Sequence, residues 1–107
     1  MITVKTFRAL ALSFPEAEEL PHFEKSSFRI NKKIFATLSE KDKIACLKFS
    51  EIDQSVFCAF DPAVIYPVPN AWGKQGATFV ELSLVREDLF TDALHCAYQN
   101  LVNKGKK

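Results

Sequence analysis

The residues of this 107-residue chain best suited to chemistry are two histidines and three cysteines. His95 follows Asp92 by one helical turn, and Asp88 lies a turn earlier, so the three would share one helix edge. A zinc site needs three or four convergent ligands, and this spacing is equally that of a wet helix surface. No metal or cofactor is therefore expected. His22 lies among Glu18, Glu19 and Glu24, where it could titrate near neutral pH or anchor its segment by hydrogen bonds. Cys46, Cys58 and Cys96 are odd in number, widely spaced and set among apolar neighbours, which reads as buried free thiols. There is no Gly-x-Ser-x-Gly elbow. With only Gly73, Gly76 and Gly105, a phosphate-cradling glycine loop is excluded. The expectation is a protein that is not an enzyme.

A second set of residues suits binding. The segment Pro67–Thr78 holds the only tryptophan, Trp72, with Lys74 and Gln75 beside it and Gly73 and Gly76 to let the backbone turn or approach a ligand closely. Trp72 can stack on a planar group while Lys74 and Gln75 donate hydrogen bonds. The net charge of +1 conceals a segregation. Residues 16–24 carry four acids and no Lys or Arg, residues 25–48 carry seven bases against Glu40 and Asp42, and residues 51–103 carry seven acids against Lys74 and Arg86. A local positive field can act where the total does not.

These residues must be positioned by local elements. Thr3 caps a helix running to about Ser13, with Val4, Phe7, Ala11 and Phe14 on one face. Pro15 ends it, and Pro21 is expected to keep Glu16–Glu24 irregular. Three strands follow. Ser26–Ile30 turns Phe28 and Ile30 inward, and Asn31-Lys32 makes a tight turn. Lys33–Ser39 sets Ile34, Ala36 and Leu38 against Lys33, Phe35 and Thr37. Lys43–Phe49 sets Ala45, Leu47 and Phe49 against Ile44, Cys46 and Lys48. Ser50 caps a helix, Glu51–Ala59, expected to bury Ile52, Val56 and Phe57. After a structured loop with a short strand near Val64–Pro67, a strand spans Ala77–Leu82 and a final helix about Val85–Val102. The order α-βββ-α-loop-β-α predicts an α+β fold, an antiparallel β-sheet with helices packed on one face, as a single domain over 1–107. No apolar run approaches the roughly 18 residues of a membrane span, and the N-terminus lacks a signal-peptide h-region. A monomeric cytoplasmic protein, without a membrane partner, is expected.

The order and spacing of several short patterns resemble the MmcQ/YjbR family of small bacterial proteins over nearly the whole chain. The patterns are Leu12-Ser13-Phe14-Pro15 with the acidic stretch after it, His22-Phe23, Phe28-Arg29-Ile30, Lys33-Ile34-Phe35-Ala36, Leu47-Lys48, Asp61-Pro62, Pro67-Val68-Pro69 and Trp72-Gly73-Lys74-Gln75-Gly76. Many members have tryptophan after the second loop glycine, where this chain has Ala77. The resemblance implies a CyaY-like, frataxin-related fold with a double-wing arrangement of strands, and a DNA-binding role. A frataxin-like iron role fits less well, because the first helix bears Lys5 and Arg8 instead of an acidic ridge.

Two functional expectations follow. In the first, the sheet face opposite the helices binds nucleic acid, with DNA as the partner, through Arg29, Lys33, Phe35, Lys48, Trp72, Lys74 and Gln75. The pI near 7.7 is lower than that of most dedicated DNA binders, so binding is expected to be weak and salt-sensitive. In the second, a small molecule or protein occupies a pocket around the Trp72 loop, lined by His22, Lys48 and Trp72.

Overall fold

A computed structural model describes residues 2–22, 25–69 and 71–104, and of residues 22, 103 and 104 the backbone alone. Helix α1 (Val4–Leu12) starts where the Thr3 side chain accepts a hydrogen bond from the Thr6 amide, as its N-cap position predicts. Its buried residues, Phe7 and Ala11, come from the expected face. The chain then forms β1 (Ala17–His22), β2 (Lys25–Ile30), β3 (Lys33–Ser39), β4 (Ile44–Lys48), α2 (Glu51–Phe60), β5 (Ile65–Pro67), α3 (Ala71–Lys74), β6 (Ala77–Glu81) and α4 (Glu87–Lys104). One six-stranded sheet results, in the order β1-β2-β3-β4-β6-β5 and antiparallel throughout. No helix among the described residues is long and apolar enough to cross a membrane.

The β2–β3 connection is the two-residue turn expected at Asn31-Lys32, with φ of 51° and 69° at its two central residues. Two consecutive left-handed residues match the twist of the flanking strands. Asn accepts that conformation readily, whereas Lys does so at a cost.

Two sequence expectations fail here. Residues 17–22 are a strand and not an irregular segment. Pro21 lacks an N–H, but β1 is an edge strand and needs hydrogen bonds on one side only, where Pro21 lies opposite Ser26. Helix α2 begins at Ser50, whose Oγ accepts from the Asp53 amide as expected, but it turns the other way about its axis. Ile52 and Val56 are 76% and 60% exposed. The inward stripe is Gln54, Phe57 and Cys58, with Phe57 stacked on Phe49 at 5.1 Å between ring centres. The reason is polar: the Gln54 amide finds three oxygen acceptors in the body of the protein (below), and the helix turns to reach them.

The core lies between the sheet and the helices. Phe7 of α1 packs on Phe28 of β2 at 5.2 Å and on Phe90 of α4 at 5.4 Å. Helix α4 lies over β3 and β4 and buries Phe90, Ala93, Leu94 and Ala97, which belong to the helix-spaced apolar row of Leu89, Phe90, Ala93, Leu94, Ala97 and Leu101. Leu38, Ala45, Leu47 and Val80 complete the layer from the sheet. Each large side chain so buried stabilises the fold by about 1.5–3 kcal/mol relative to exposure.

Candidate nucleic-acid interface

Residues directly opposite across antiparallel strands share a face of the sheet. The register therefore lays out the face turned away from the core. One row runs through Ser27, Thr37, Cys46, Phe79 and Tyr66, and beside it lie the pairs Arg29–Ile34 and Lys48–Ala77. Helices α1 and α4 cover the other face, so this one meets solvent. It is concave: a groove of about 770 Å³ crosses it. Lys25, Arg29, Lys32, Lys33 and Lys48 border the groove, and no acidic side chain does among the described residues. Ile34, Cys46, Val68 and Phe79 give it an apolar floor, and Trp72 stands at the wall.

Arg29 is held to the floor by donating from Nε to the Oγ of the buried Ser27, at 2.9 Å. The same hydroxyl donates to the Leu20 carbonyl oxygen at 2.9 Å. Lys48 stands at the end of β4, where its carbonyl oxygen accepts from Asn100 Nδ2 of α4 at 3.4 Å. On the same face the Tyr66 hydroxyl donates to Glu81, and this bond raises the phenol above its ordinary range. Burial pushes the Cys46 thiol up, so at neutral pH it is a protonated, apolar part of the floor.

Backbone contacts fix the Trp72 wall. A Cβ on Gly73 would meet the Val68 carbonyl oxygen at 1.9 Å, and one on Gly76, whose φ is 102°, would meet that of Phe49 at 1.9 Å. Only glycine permits both approaches. Gly76 in turn accepts a backbone hydrogen bond from the Phe49 amide at 2.9 Å. The Gln54 amide spans the junction, with Nε2 lying 2.8 Å from Gly73 O, 3.2 Å from Ala77 O and 3.1 Å from Thr78 Oγ1. Sequence reasoning missed Gln54. Its only signal is a polar residue on a helix face three positions before Phe57.

Of the sequence-predicted site residues, Arg29, Lys33, Lys48 and Trp72 come together in the groove. Lys25 and Lys32 join them without having been singled out. Phe35 does not belong there. It is fully buried on the core side, edge-on to Phe14 and Tyr98 at 5.9 and 6.0 Å. The cause is a β-bulge: Phe28 pairs with Ala36 and Arg29 with Ile34, which leaves Phe35 unpaired and turned inward beside Ala36. Lys74 and Gln75 are exposed but do not border the groove. In the short α3, residues two apart point away from each other, so Trp72 at the wall directs Lys74 elsewhere. His22 lies in β1, and its side chain is outside the described residues. His95 sits beside Phe14, 6.0 Å between ring centres, with Gln99 Nε2 3.5 Å from its Nε2. Among the described residues no group of three His, Cys, Asp or Glu is placed to hold a metal.

Comparison with solved structures finds a domain of Deinococcus radiodurans protein DR2400, from the DUF419 family model, with a TM-score of 0.85 at 21% identity. The match covers 98% of this chain and 82% of that one, and at this identity it establishes the shared fold. No curated protein matches. The YjbR family model matches residues 12–100, from the end of α1 through most of α4 and including all six strands and every groove residue but Leu101. The chain belongs to the YjbR family.

Proposed function

We propose that this protein is a binding module, not an enzyme, and that it takes nucleic acid, DNA in the first instance, on the open face of its sheet. The observation that carries the reading is the groove's lining: five cationic side chains around an apolar floor with an exposed tryptophan, and no acid among its described residues. Cations neutralise phosphates and release condensed counterions, while aromatic and apolar groups meet bases. Lys32 adds support. It occupies a left-handed turn position that glycine fills without strain, and it projects a charge to the groove's border. A locally unfavourable residue that also reaches the groove is a reason to test it for binding.

The test is fluorescence anisotropy with labelled oligonucleotides across a salt series beginning at low ionic strength. Affinity should fall as salt rises, with log K against log salt shallower by about one unit in Lys48→Ala if Lys48 contacts one phosphate. Absence of binding at low salt to single-stranded and duplex DNA alike would remove the proposal. A second reading, a small anionic ligand held between Lys48 and Trp72, draws on the groove's volume, which lies within the roughly 300–1,000 Å³ of ligand pockets. A metabolite panel read by thermal shift separates the two, since a small ligand gives much weaker salt dependence.

A further inference from the structure

Resting on the nucleic-acid reading, we infer that the strand this groove accepts is single, with an unpaired base stacked at Trp72 and the backbone running along the β-strands. Three observations lead there. The first is the floor. Ile34, Cys46, Val68 and Phe79 form an apolar surface at the bottom of a concavity, and on the next strand Tyr66 is set edge-on to Phe79 at 5.9 Å. A duplex presents phosphates and groove edges and keeps its base faces stacked inside, so it would span this hollow and leave the floor uncovered. An unstacked base offers the planar apolar face that would fill it.

The second is Trp72. It is 61% exposed, yet its backbone is held by the Gly73 and Gly76 approaches and the Gln54 amide. A large aromatic surface displayed from a fixed support beside cations is the arrangement on which bases stack without sequence preference.

The third is the groove's length. It does not end at its own rim. A hollow of about 70 Å³ shares Lys25, Thr37, Cys46 and Phe79 with it and continues toward the β3–β4 turn at Asp42. At the opposite end a hollow of about 340 Å³ shares Lys33 and Leu101 with the groove but turns round the end of the sheet to Ile30 and Tyr98, on the side that α4 covers. The groove and the first hollow form one trough along the strand direction, basic in the middle and with Asp42 at its far end. A free nucleotide would occupy the middle alone; a chain of nucleotides would use the whole trough.

Trp72 is the only tryptophan, so its emission reports this site directly. The intact protein is titrated, in one low-salt buffer, with oligo(dT), with a hairpin duplex of equal phosphate content and with thymidine monophosphate. Oligo(dT) should quench Trp72 emission and bind at least roughly tenfold more tightly than the duplex, and the mononucleotide much more weakly than either strand. Read by anisotropy of labelled oligonucleotides, Trp72→Ala should lower single-strand affinity roughly 5- to 150-fold and Trp72→Phe by less, and duplex affinity should fall less than single-strand affinity in both. Circular dichroism and an unchanged unfolding midpoint of both variants establish that the fold persists. Duplex binding as tight as single-strand binding, with Trp72 emission unchanged, overturns the single-strand inference and leaves the nucleic-acid reading standing. Mononucleotide binding equal to oligo(dT) overturns the strand-length argument. No binding to any of the three overturns both readings.

Discussion

The two faces of the sheet are built from the same strands by the same alternation, yet they obey different rules. On the covered face Phe28, Leu38, Ala45, Leu47 and Val80 are fully buried, and polar atoms are few. On the open face Arg29, Ile34, Cys46, Lys48 and Phe79 are only half-buried, and charge alternates with hydrocarbon. Lysine and arginine stems lie along such hydrocarbon while their charged heads stay in water. The mixture is what the proposed ligand, an anion with planar apolar parts, would use. The contrast separates residues that hold the fold from residues available to a ligand, although they sit one position apart.

That separation can be attacked from both sides. The largest effect is expected on the covered face, where Phe28→Ala removes a ring packed on Phe7 and should cost about 3–5 kcal/mol in urea unfolding. Nucleic-acid affinity of the fraction still folded should be unchanged. Loss of affinity in the folded fraction would show that the two faces are not independent. Next comes the turn. Lys32→Gly relieves a left-handed lysine and should raise stability by about 1 kcal/mol while weakening nucleic-acid binding. A gain in stability with unchanged affinity would take Lys32 out of the interface.

The smallest effect is expected at the sheet edge, where Tyr66→Phe removes the bond to Glu81 and should cost at most about 1 kcal/mol at neutral pH. The hydrogen bond to Glu81 raises the Tyr66 phenol, so the folded state holds its proton more tightly than the unfolded state. Its stabilisation is complete below the ordinary tyrosine value of 10.0 and is lost as pH climbs through the higher folded value. The difference in unfolding midpoint between wild type and Tyr66→Phe should therefore shrink from near pH 10 upward. A constant difference would mean that the bond contributes nothing.

Much of the fold is legible in the sequence because local and tertiary preferences agree. In α4 the apolar row Leu89, Ala93, Ala97 and Leu101, broadened by Phe90 and Leu94, already describes a helix face, and burial is complete at Phe90, Ala93, Leu94 and Ala97 and partial at Leu89 and Leu101. Asn31-Lys32 reads as a hairpin turn from the tolerance of Asn alone. Failures occur where a non-local partner decides. Strict alternation sends Phe35 outward, but one unpaired residue shifts the register and places it in the core. Apolar content sends Ile52 and Val56 inward, but the acceptors that capture Gln54 lie 19 to 24 residues further along the chain. Pro21 discourages a strand until its edge position is known. The groove was half visible: the cations cluster in sequence within residues 25–48, while the register that gathers them around Trp72 does not.

The Gln54 bridge and the two glycine approaches have a further consequence for how binding would proceed. A recognition loop that folds only around its ligand gives up conformational freedom at that moment, and affinity suffers accordingly. Here the support beneath Trp72 is assembled by main-chain contacts to Val68 and Phe49 that belong to the fold itself. The entropy of ordering this wall is thus lost during folding, once, and not again at each encounter. Association would resemble docking onto a preorganised shelf, with little backbone rearrangement between free and bound protein.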